Sequence, residues 1–443
     1  MTPHVLTPSP VPPTRAPGVA PAPDAPRVSH SSPTVAVLGL GYVGLPTSLA
    51  ATAAGLDVIG IDISEDRLRH IRGGEVDLLE RDHARLADAL GSGALRMTAS
   101  TRALSRADVV LVCVPTPVHE DHQPDLRALR AACATVVSQA RRGQTLILTS
   151  TSYVGTTADL LVTPLRERGL IAGEDIHVAF SPERIDPGNT THTQEDTPRV
   201  VGGATDLCAE RAASVLARLT SHVHRVSSME AAELTKLMEN TFRAVNIAFA
   251  YEMADAAAHY GLDPIEITEA AATKPYGFMP FYPGAGVGGH CIPCDPHYLL
   301  DPLRTAGGST PLIEGAMDAI AERPRRVAAR ACALLGDPFG KRVLVAGVTY
   351  KPGVQDVREA PALEVLAALE RAGCEIGYYD PLVPTLRLGA RTLHGQLHPR
   401  GADWDMVIVA TIHPGWDYRF LDSCPTLLDA TYRVGAGYGC HTI

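Results

Sequence analysis

The sequence predicts an α/β protein built as two doubly wound, Rossmann-type lobes joined by a long central helix. Three observations carry that expectation. A glycine-rich turn separates two apolar runs near residue 40; the stretch from Ala231 to Tyr260 holds helical period without a Pro or Gly; and a fresh strand–helix–strand series begins at Lys341. At 443 residues the chain has room for two or three cores, since single cores rarely grow past roughly 250 to 300 residues. Hydrophobic residues make up 45% of it but aromatics only 5%, so Ala, Val, Leu and Ile must build those cores. That suits helices packed on parallel sheet.

Taken in order, residues 1–32 are rich in Pro, Ala and Ser and hold no apolar run able to serve as a signal-peptide core, so a disordered tail is expected. TVAVLGLGYVGLPTSLAATAAGLDVIGIDIS then reads as a buried strand, a glycine turn, a helix over Leu45–Ala54 and a second strand ending at Asp62. Further strands are expected at Val109–Val114, Thr145–Leu148 and His177–Phe180, alternating with Ala/Leu/Arg-rich helices. The long helix after Ser228 is expected to be a spine between lobes. The second lobe follows with a strand at Lys341–Gly347, a helix near Ala362–Ala372 and strands at Glu375–Tyr379 and Met406–Ala410. Its first strand runs into GVTYKPG and lacks the dinucleotide fingerprint. The expected division is a tail to residue 32, a dinucleotide-binding lobe over 33–225, a central helical part over 226–325 and a second lobe over 326–443.

Composition excludes some classes. A net charge of −10, with no basic run interleaved with aromatics, speaks against nucleic acid as a partner. Nine cysteines, an odd number spread from Cys113 to Cys440, lack the spacing of a secreted disulfide scaffold. No stretch approaches the roughly 20 apolar residues that cross a bilayer. A soluble cytoplasmic protein with no membrane partner is expected.

Gly39, Gly41 and Gly44 form GLGYVG directly after a strand and at the opening of a helix, with Asp62 closing the next strand. The glycines permit a tight turn and close approach of a pyrophosphate, Tyr42 and Val43 lie inside the same turn, and helix amides point at the phosphates. An acidic residue at Asp62 can accept both ribose hydroxyls and favours NAD over NADP, while Arg67 just beyond it keeps NADP in view. VPTP, with Thr116, and TST, ending at Thr151, each follow a strand and so sit where ligands bind in such sheets. Lys236 and Asn240 lie four apart on one face of the long helix and suit an anionic oxygen.

FYPGAGVGGHCIPCDPHYLL, from Phe281 to Leu300, reads as an ordered loop whose bare backbone lets a ligand come close. Cys291 in it is a nucleophile if Lys236 or an amide cluster stabilises its thiolate, and Asp295 is near enough in sequence to handle a proton. Cys291 and Cys294 also form a CxxC, but no second pair stands at zinc spacing, so no metal is expected. His290 and His297 are read as packing or hydrogen-bonding residues.

GLGYVGLP, VPTP, TSTSYVGTT, FSPER, KLMENTFRAVNIAF, GGHCIPCDP and GVTYKPGVQDVREAPAL, in that order, resemble the UDP-glucose/GDP-mannose dehydrogenase family over nearly the whole chain after residue 33. The resemblance implies two Rossmann-like lobes, NAD on the first, a nucleotide sugar on the last, and a homodimer through the long helix. It implies that Cys291 is the nucleophile, Lys236 the oxyanion-stabilising lysine, Asn240 a substrate-binding amide and Asp295 a carboxylate that positions water or moves protons. Thr151 and Glu183 resemble the water- and thioester-associated pair, and Lys351 and Arg358 match basic residues closing the site between lobes, Arg358 on the cofactor side. Arg184, Phe281, Tyr282, Gly284 and Gly288 are expected to bind the nucleotide sugar. The implied reaction is four-electron oxidation of a sugar C6 alcohol to the uronic acid. Thr149 and Val154 depart from the family's usual turn around Thr151, and Pro187 stands where UDP-glucose-specific members carry a second glutamate. RIDPGN with TKPYGFMPFYPG resembles the UDP-N-acetylhexosamine branch, which favours UDP-GlcNAc over UDP-glucose, UDP-ManNAc or GDP-mannose. Two other readings fit parts of the pattern. A two-electron hydroxyacid dehydrogenase shares the first lobe and the helical lysine but needs no thiol, and a non-catalytic nucleotide-sugar-binding subunit would tolerate the altered turn at Thr151.

Overall fold

The computed structural model describes residues 32–76, 78–119, 123–184, 193–289, 291–434 and 440–443. The tail up to Ser31, Pro187 and His290 lie outside the described residues. The first lobe runs β1 (Thr34–Leu38), α1 (Gly44–Ala53), β2 (Asp57–Ile61), α2 (Glu65–Gly73), α3 (Glu80–Gly91), β3 (Leu95–Thr98), β4 (Val109–Val112), α4 (Arg127–Gln139), β5 (Thr145–Leu148), α5 (Thr163–Glu167), β6 (His177–Phe180), β7 (Arg199–Gly203), α6 (Asp206–Leu216) and β8 (Val223–Arg225). These strands form one sheet in the order β3-β2-β1-β4-β5-β6-β7-β8, parallel except where β6 meets β7. Both faces are covered, so β1 buries alternate residues into two cores: Val35 and Val37 into one, Ala36 and Leu38 into the other. Leu38 pairs with Ile61 and with Val112. The glycine turn, Asp62 and the VPTP segment therefore emerge side by side at one carboxyl edge of the sheet.

The spine α7 (Met229–His259) is 31 residues long, about 46 Å at the α-helical rise. Ser228 caps it, accepting from the Ala231 amide at 3.1 Å. Its buried face, which includes Ala232, Lys236, Asn240, Ala244, Ala248 and Tyr251, repeats at helical spacing. The small alanines let α9 (Cys291–Thr305) and α10 (Pro311–Leu335) approach closely, while α8 (Pro264–Ala272) lies between α7 and α9 in sequence. Leu234, Met238, Phe242, Phe249 and Met253 form an exposed apolar stripe along α7.

The second lobe holds β9 (Arg342–Ala346), α11 (Pro361–Arg371), β10 (Glu375–Tyr379), a hairpin of β11 (Thr385–Leu388) and β12 (Arg391–His394), then β13 (Met406–Val409) and β14 (Leu427–Asp429). Its parallel sheet runs β10-β9-β13-β14. Three expectations are corrected here. The second strand stops at Ile61, because the Asp62 carboxylate turns back to accept the Leu40 and Ser64 amides. Cys291 opens a helix rather than sitting in a loop, although Pro296 and Pro302 lie inside that helix. Strands β3, β7, β8, β11, β12 and β14 had no counterpart in the sequence reading.

Candidate active site

The glycine turn is tightly packed except at its middle glycine. Gly39 has φ 92°, and a Cβ there would lie 2.5 Å from the Cys113 carbonyl oxygen. A Cβ on Gly44 would lie 1.8 Å from the Gly39 carbonyl oxygen, whereas one on Gly41 would meet nothing within 4 Å. The first and third glycines thus serve the fold, and Gly41 keeps space open beside the turn. Val43 packs into the core beneath. Asp62 accepts the Leu40 amide on Oδ2 and the Ser64 amide on Oδ1, both at 2.9 Å, which leaves lone pairs on each oxygen for a ribose diol. Arg67 spends its Nε on the Leu40 carbonyl at 2.9 Å, bracing the turn. These residues fit a dinucleotide. Arg358, reaching over from the second lobe, places its guanidinium 4.4 Å from the ring centre of Tyr42 and is gripped by the buried carboxylate of Asp356, with Nη2 2.7 Å from Oδ2.

At the same edge, Ser150 accepts the Val114 amide at 2.9 Å and donates to the Val114 carbonyl at 2.8 Å, fixing the VPTP segment. The Tyr298 hydroxyl of α9 donates to the Pro117 carbonyl at 3.0 Å, next to Thr116. The turn after the half-buried Thr151 is held from α7: buried Glu233 accepts the Gly155 amide at 2.6 Å, the Thr157 amide at 2.9 Å and the Thr157 hydroxyl at 2.6 Å. Val154, the residue departing from the family pattern, projects outward with 39% exposure.

The expected catalytic residues gather where α7 meets α9. Lys236 and Asn240 share the buried face of α7, and Cys291 and Asp295, also four apart, share a face of α9. Asn240 Nδ2 donates to Asp295 Oδ2 at 2.5 Å, and Lys236 Nζ donates to the Glu183 carbonyl at 2.9 Å. Burial pushes the Asp295 carboxyl up to about 6, against the attraction of Lys236 and the Asn240 bond. Cys291 is open to solvent at the first turn of α9. Burial and then Asp295 push its thiol up, while Lys236, Arg243 and Arg358 pull it down. Its CxxC partner Cys294 is buried, and burial pushes its thiol up to about 12. The two cysteines thus differ in kind, and Cys291 is the one a substrate can reach.

Not every expected residue lies as anticipated. The Glu183 carboxylate is buried in an ion pair with Arg199, with Thr47 of α1 at 3.4 Å and Gln194 at 3.3 Å. Arg184 is tied to Glu239 of α7 and to the Pro198 carbonyl. In the Phe281–Gly289 segment, Phe281 packs edge-on against Phe242, Tyr282 is exposed and the Gly284 carbonyl accepts from the buried Arg323 at 3.0 Å. The bare backbone there has a different cause from the one expected. A Cβ on Gly288 would strike Glu359 and Tyr350, and one on Gly289 would strike Tyr350, so these glycines admit the second lobe. Lys351 sits in the turn after β9, its carbonyl accepting from the Thr349 hydroxyl at 3.1 Å. Sequence reasoning missed Glu233, Arg243 and Arg199. Glu233 and Arg243 fall three before Lys236 and three after Asn240, so the helical period that revealed the pair could have flagged both.

Fold and site together define a dinucleotide-dependent dehydrogenase. The UDP-glucose/GDP-mannose dehydrogenase family matches in all its parts: the NAD binding domain over residues 33–220, the central domain over 230–320 and the UDP binding domain over 344–432. The UDP-N-acetyl-D-mannosamine dehydrogenase of Pyrococcus horikoshii is 35% identical over 390 residues, covering 86% of this chain and 89% of its own length. The UDP-N-acetyl-D-glucosamine 6-dehydrogenase of Pseudomonas aeruginosa is 35% identical over 359 residues, covering 79% and 83%. A solved structure of a UDP-D-ManNAc dehydrogenase from Pyrococcus horikoshii superposes with a TM-score of 0.84 at 32% identity, over 93% of this chain and 99% of that one. The chain belongs to the UDP-glucose/GDP-mannose dehydrogenase family and is an NAD-dependent UDP-sugar dehydrogenase. Among the described residues, no helix is long and apolar enough to cross a membrane.

Proposed function

We propose that the protein oxidises the C6 alcohol of UDP-GlcNAc to the uronic acid through a thioester on Cys291. The observation that carries this reading is the convergence of an accessible thiol, a buried lysine, an amide and a carboxylate of raised affinity for protons on two packed helices. NAD, held by Gly39, Gly41, Tyr42, Val43, Gly44, Asp62 and Thr116 with Arg358 against Tyr42, supplies a hydride acceptor for each of the two oxidations. The remaining work falls to the chain. Lys236 and Asn240 hold the C6 oxygen and favour the negative charge that grows on it as its proton leaves. Cys291 Sγ bonds to the resulting aldehyde carbon, its proton passing to Asp295. With the carboxyl raised from 3.8 to about 6, that hand-off is easier by about 3 kcal/mol than to an ordinary aspartate. Loss of the second hydride leaves the thioester. Water then adds to its carbonyl beside Thr151 and Glu183, the C–S bond breaks, and the acid departs with the thiol restored.

Arg184, Phe281, Tyr282, Gly284 and Lys351 line our proposed nucleotide-sugar site, and Gly288 serves it by letting the second lobe pack against the loop. The exposed apolar stripe of α7 supports a homodimer through that helix, since a contiguous patch of Leu, Met and Phe is costly to leave in water. All nine cysteines are free, which supports a reducing, cytoplasmic setting. The choice of sugar rests on RIDPGN and TKPYGFMPFYPG in the sequence, with the UDP-N-acetyl-D-glucosamine 6-dehydrogenase of Pseudomonas aeruginosa as a relative in support. Purified protein given NAD and, separately, UDP-GlcNAc, UDP-ManNAc, UDP-glucose and GDP-mannose should convert UDP-GlcNAc with the highest kcat/KM, read from NADH formation and product mass. A tenfold preference for another sugar would overturn that choice and leave the thioester chemistry standing.

A further inference from the structure

The two lobes carry the same turn twice, finished differently. Gly39 and Gly347 follow β1 and β9 with φ 92° and 84°. Their amides donate across to Ile61 and Tyr379 at 2.8 and 2.7 Å. One residue on, the amides of Leu40 and Val348 donate to Oδ2 of Asp62 and Asp380 at 2.9 and 2.7 Å. The amides of Ser64 and Leu382 donate to Oδ1 of the same two acids, each at 2.9 Å. On the other side, the amides of Cys113 and Ala410 donate to Leu38 and Ala346 at 2.8 and 2.9 Å. Three residues beyond those amides stand Thr116 in the first lobe and His413 in the second.

The acids then part company. Asp62 is half-buried, open to a ribose, whereas Asp380 is buried beneath His413, itself 1% exposed in its side chain. His413 Nε2 lies 3.1 Å from Asp380 Oδ2 and 3.3 Å from the Thr349 hydroxyl. Nδ1 accepts the Gly353 amide at 3.1 Å, so the ring proton sits on Nε2 and is donated to the carboxylate. Thr349 in turn donates to the Lys351 carbonyl. The imidazole thus ties both ends of the turn that carries Lys351 to the carboxylate behind it.

We propose that His413 is a positioning residue for nucleotide-sugar binding: seated over Asp380 where a ribose would seat over Asp62, it fixes the Thr349–Gly353 turn and with it Lys351. This rests on the reading of Lys351 as a substrate residue. His413→Ala, in full-length protein with NAD and the UDP-sugar turned over, should raise the sugar KM about tenfold, the value of the two lost hydrogen bonds. The kcat should stay within about twofold and the NAD KM should not move, because the first lobe is untouched. His413→Gln, which can accept from Gly353 and donate to Asp380, should recover most of the sugar KM, and added imidazole should lower the KM of His413→Ala. Thr349→Val, which unties the same turn from the other side, gives the same split if His413→Ala fails to fold. A wild-type sugar KM in His413→Ala, or equal losses for sugar and NAD, while Lys351→Ala raises the sugar KM, would overturn the inference alone. An unchanged sugar KM in Lys351→Ala would instead remove the reading of Lys351 on which it stands.

Discussion

Asp295→Asn should make the protein more stable and less active at the same time. Asp295 is 4% exposed on α9, and burial raises its carboxyl from 3.8 to about 6. The attraction of Lys236 and the Asn240 hydrogen bond are already inside that net shift, so it measures what ionising this side chain costs the fold. Roughly two pH units at 1.36 kcal/mol each give about 3 kcal/mol. Between 3.8 and about 6 the folded protein holds more protons than the unfolded chain. Stability from this group therefore falls as pH rises through that window, and the full cost is present above it. Asparagine has the same shape, can still accept from Asn240 and carries no such cost. Chemical denaturation of the two proteins without ligands should show the variant ahead by about 3 kcal/mol at pH 8 and by about a third of that at pH 4.5. Formation of the acid should fall sharply in the same variant. A variant less stable than wild type at pH 8, or an advantage equal at both pH values, would refute the reasoning.

Other substitutions separate fold from site. Gly41→Ala has open space for its Cβ, so its melting temperature should match wild type while the NAD KM rises at least about tenfold, as a methyl enters the diphosphate cradle; Gly44→Ala, whose Cβ meets the Gly39 carbonyl oxygen at 1.8 Å, should lower the melting temperature of the first lobe. Arg358→Ala removes the guanidinium over Tyr42, a contact of about 0.5 to 2 kcal/mol, so steady-state kinetics should show a weaker NAD KM. Glu233→Ala strips acceptors from two amides and a hydroxyl and should cost about 2 to 4 kcal/mol of stability by urea unfolding.

What could be read from sequence was what local rules fix. Strands Thr145–Leu148, His177–Phe180 and Glu375–Tyr379 have the expected bounds, because short aliphatic or aromatic runs between turns are strand signals by themselves. β3 and β8 were missed because LRMT and VHR, lying at the outer edges of the sheet, are only four and three residues long and carry polar residues, too short a run for a strand pattern to stand out. The helix beginning at Cys291 was hidden by Pro296 and Pro302, which local propensity reads as breakers, whereas packing of α9 against α7 overrides them. The glycines before Cys291 were legible as a place of close approach, but Tyr350 and Glu359, which do the approaching, belong to the second lobe, far along the chain. Lys236 and Asn240 could be paired from helical spacing alone. Arg199 and His413 could not, since each acquires its role from a carboxylate that only folding brings to it.

The most direct test of the central claim is a rapid-quench reaction of the protein with NAD and UDP-GlcNAc, counting NADH against uronic acid and weighing the intact protein. The account predicts two NADH per acid, a sugar acyl adduct that maps to Cys291, and neither adduct nor acid from Cys291→Ser. One NADH per product with an aldehyde or ketone released, or acid still formed by Cys291→Ser, would contradict it.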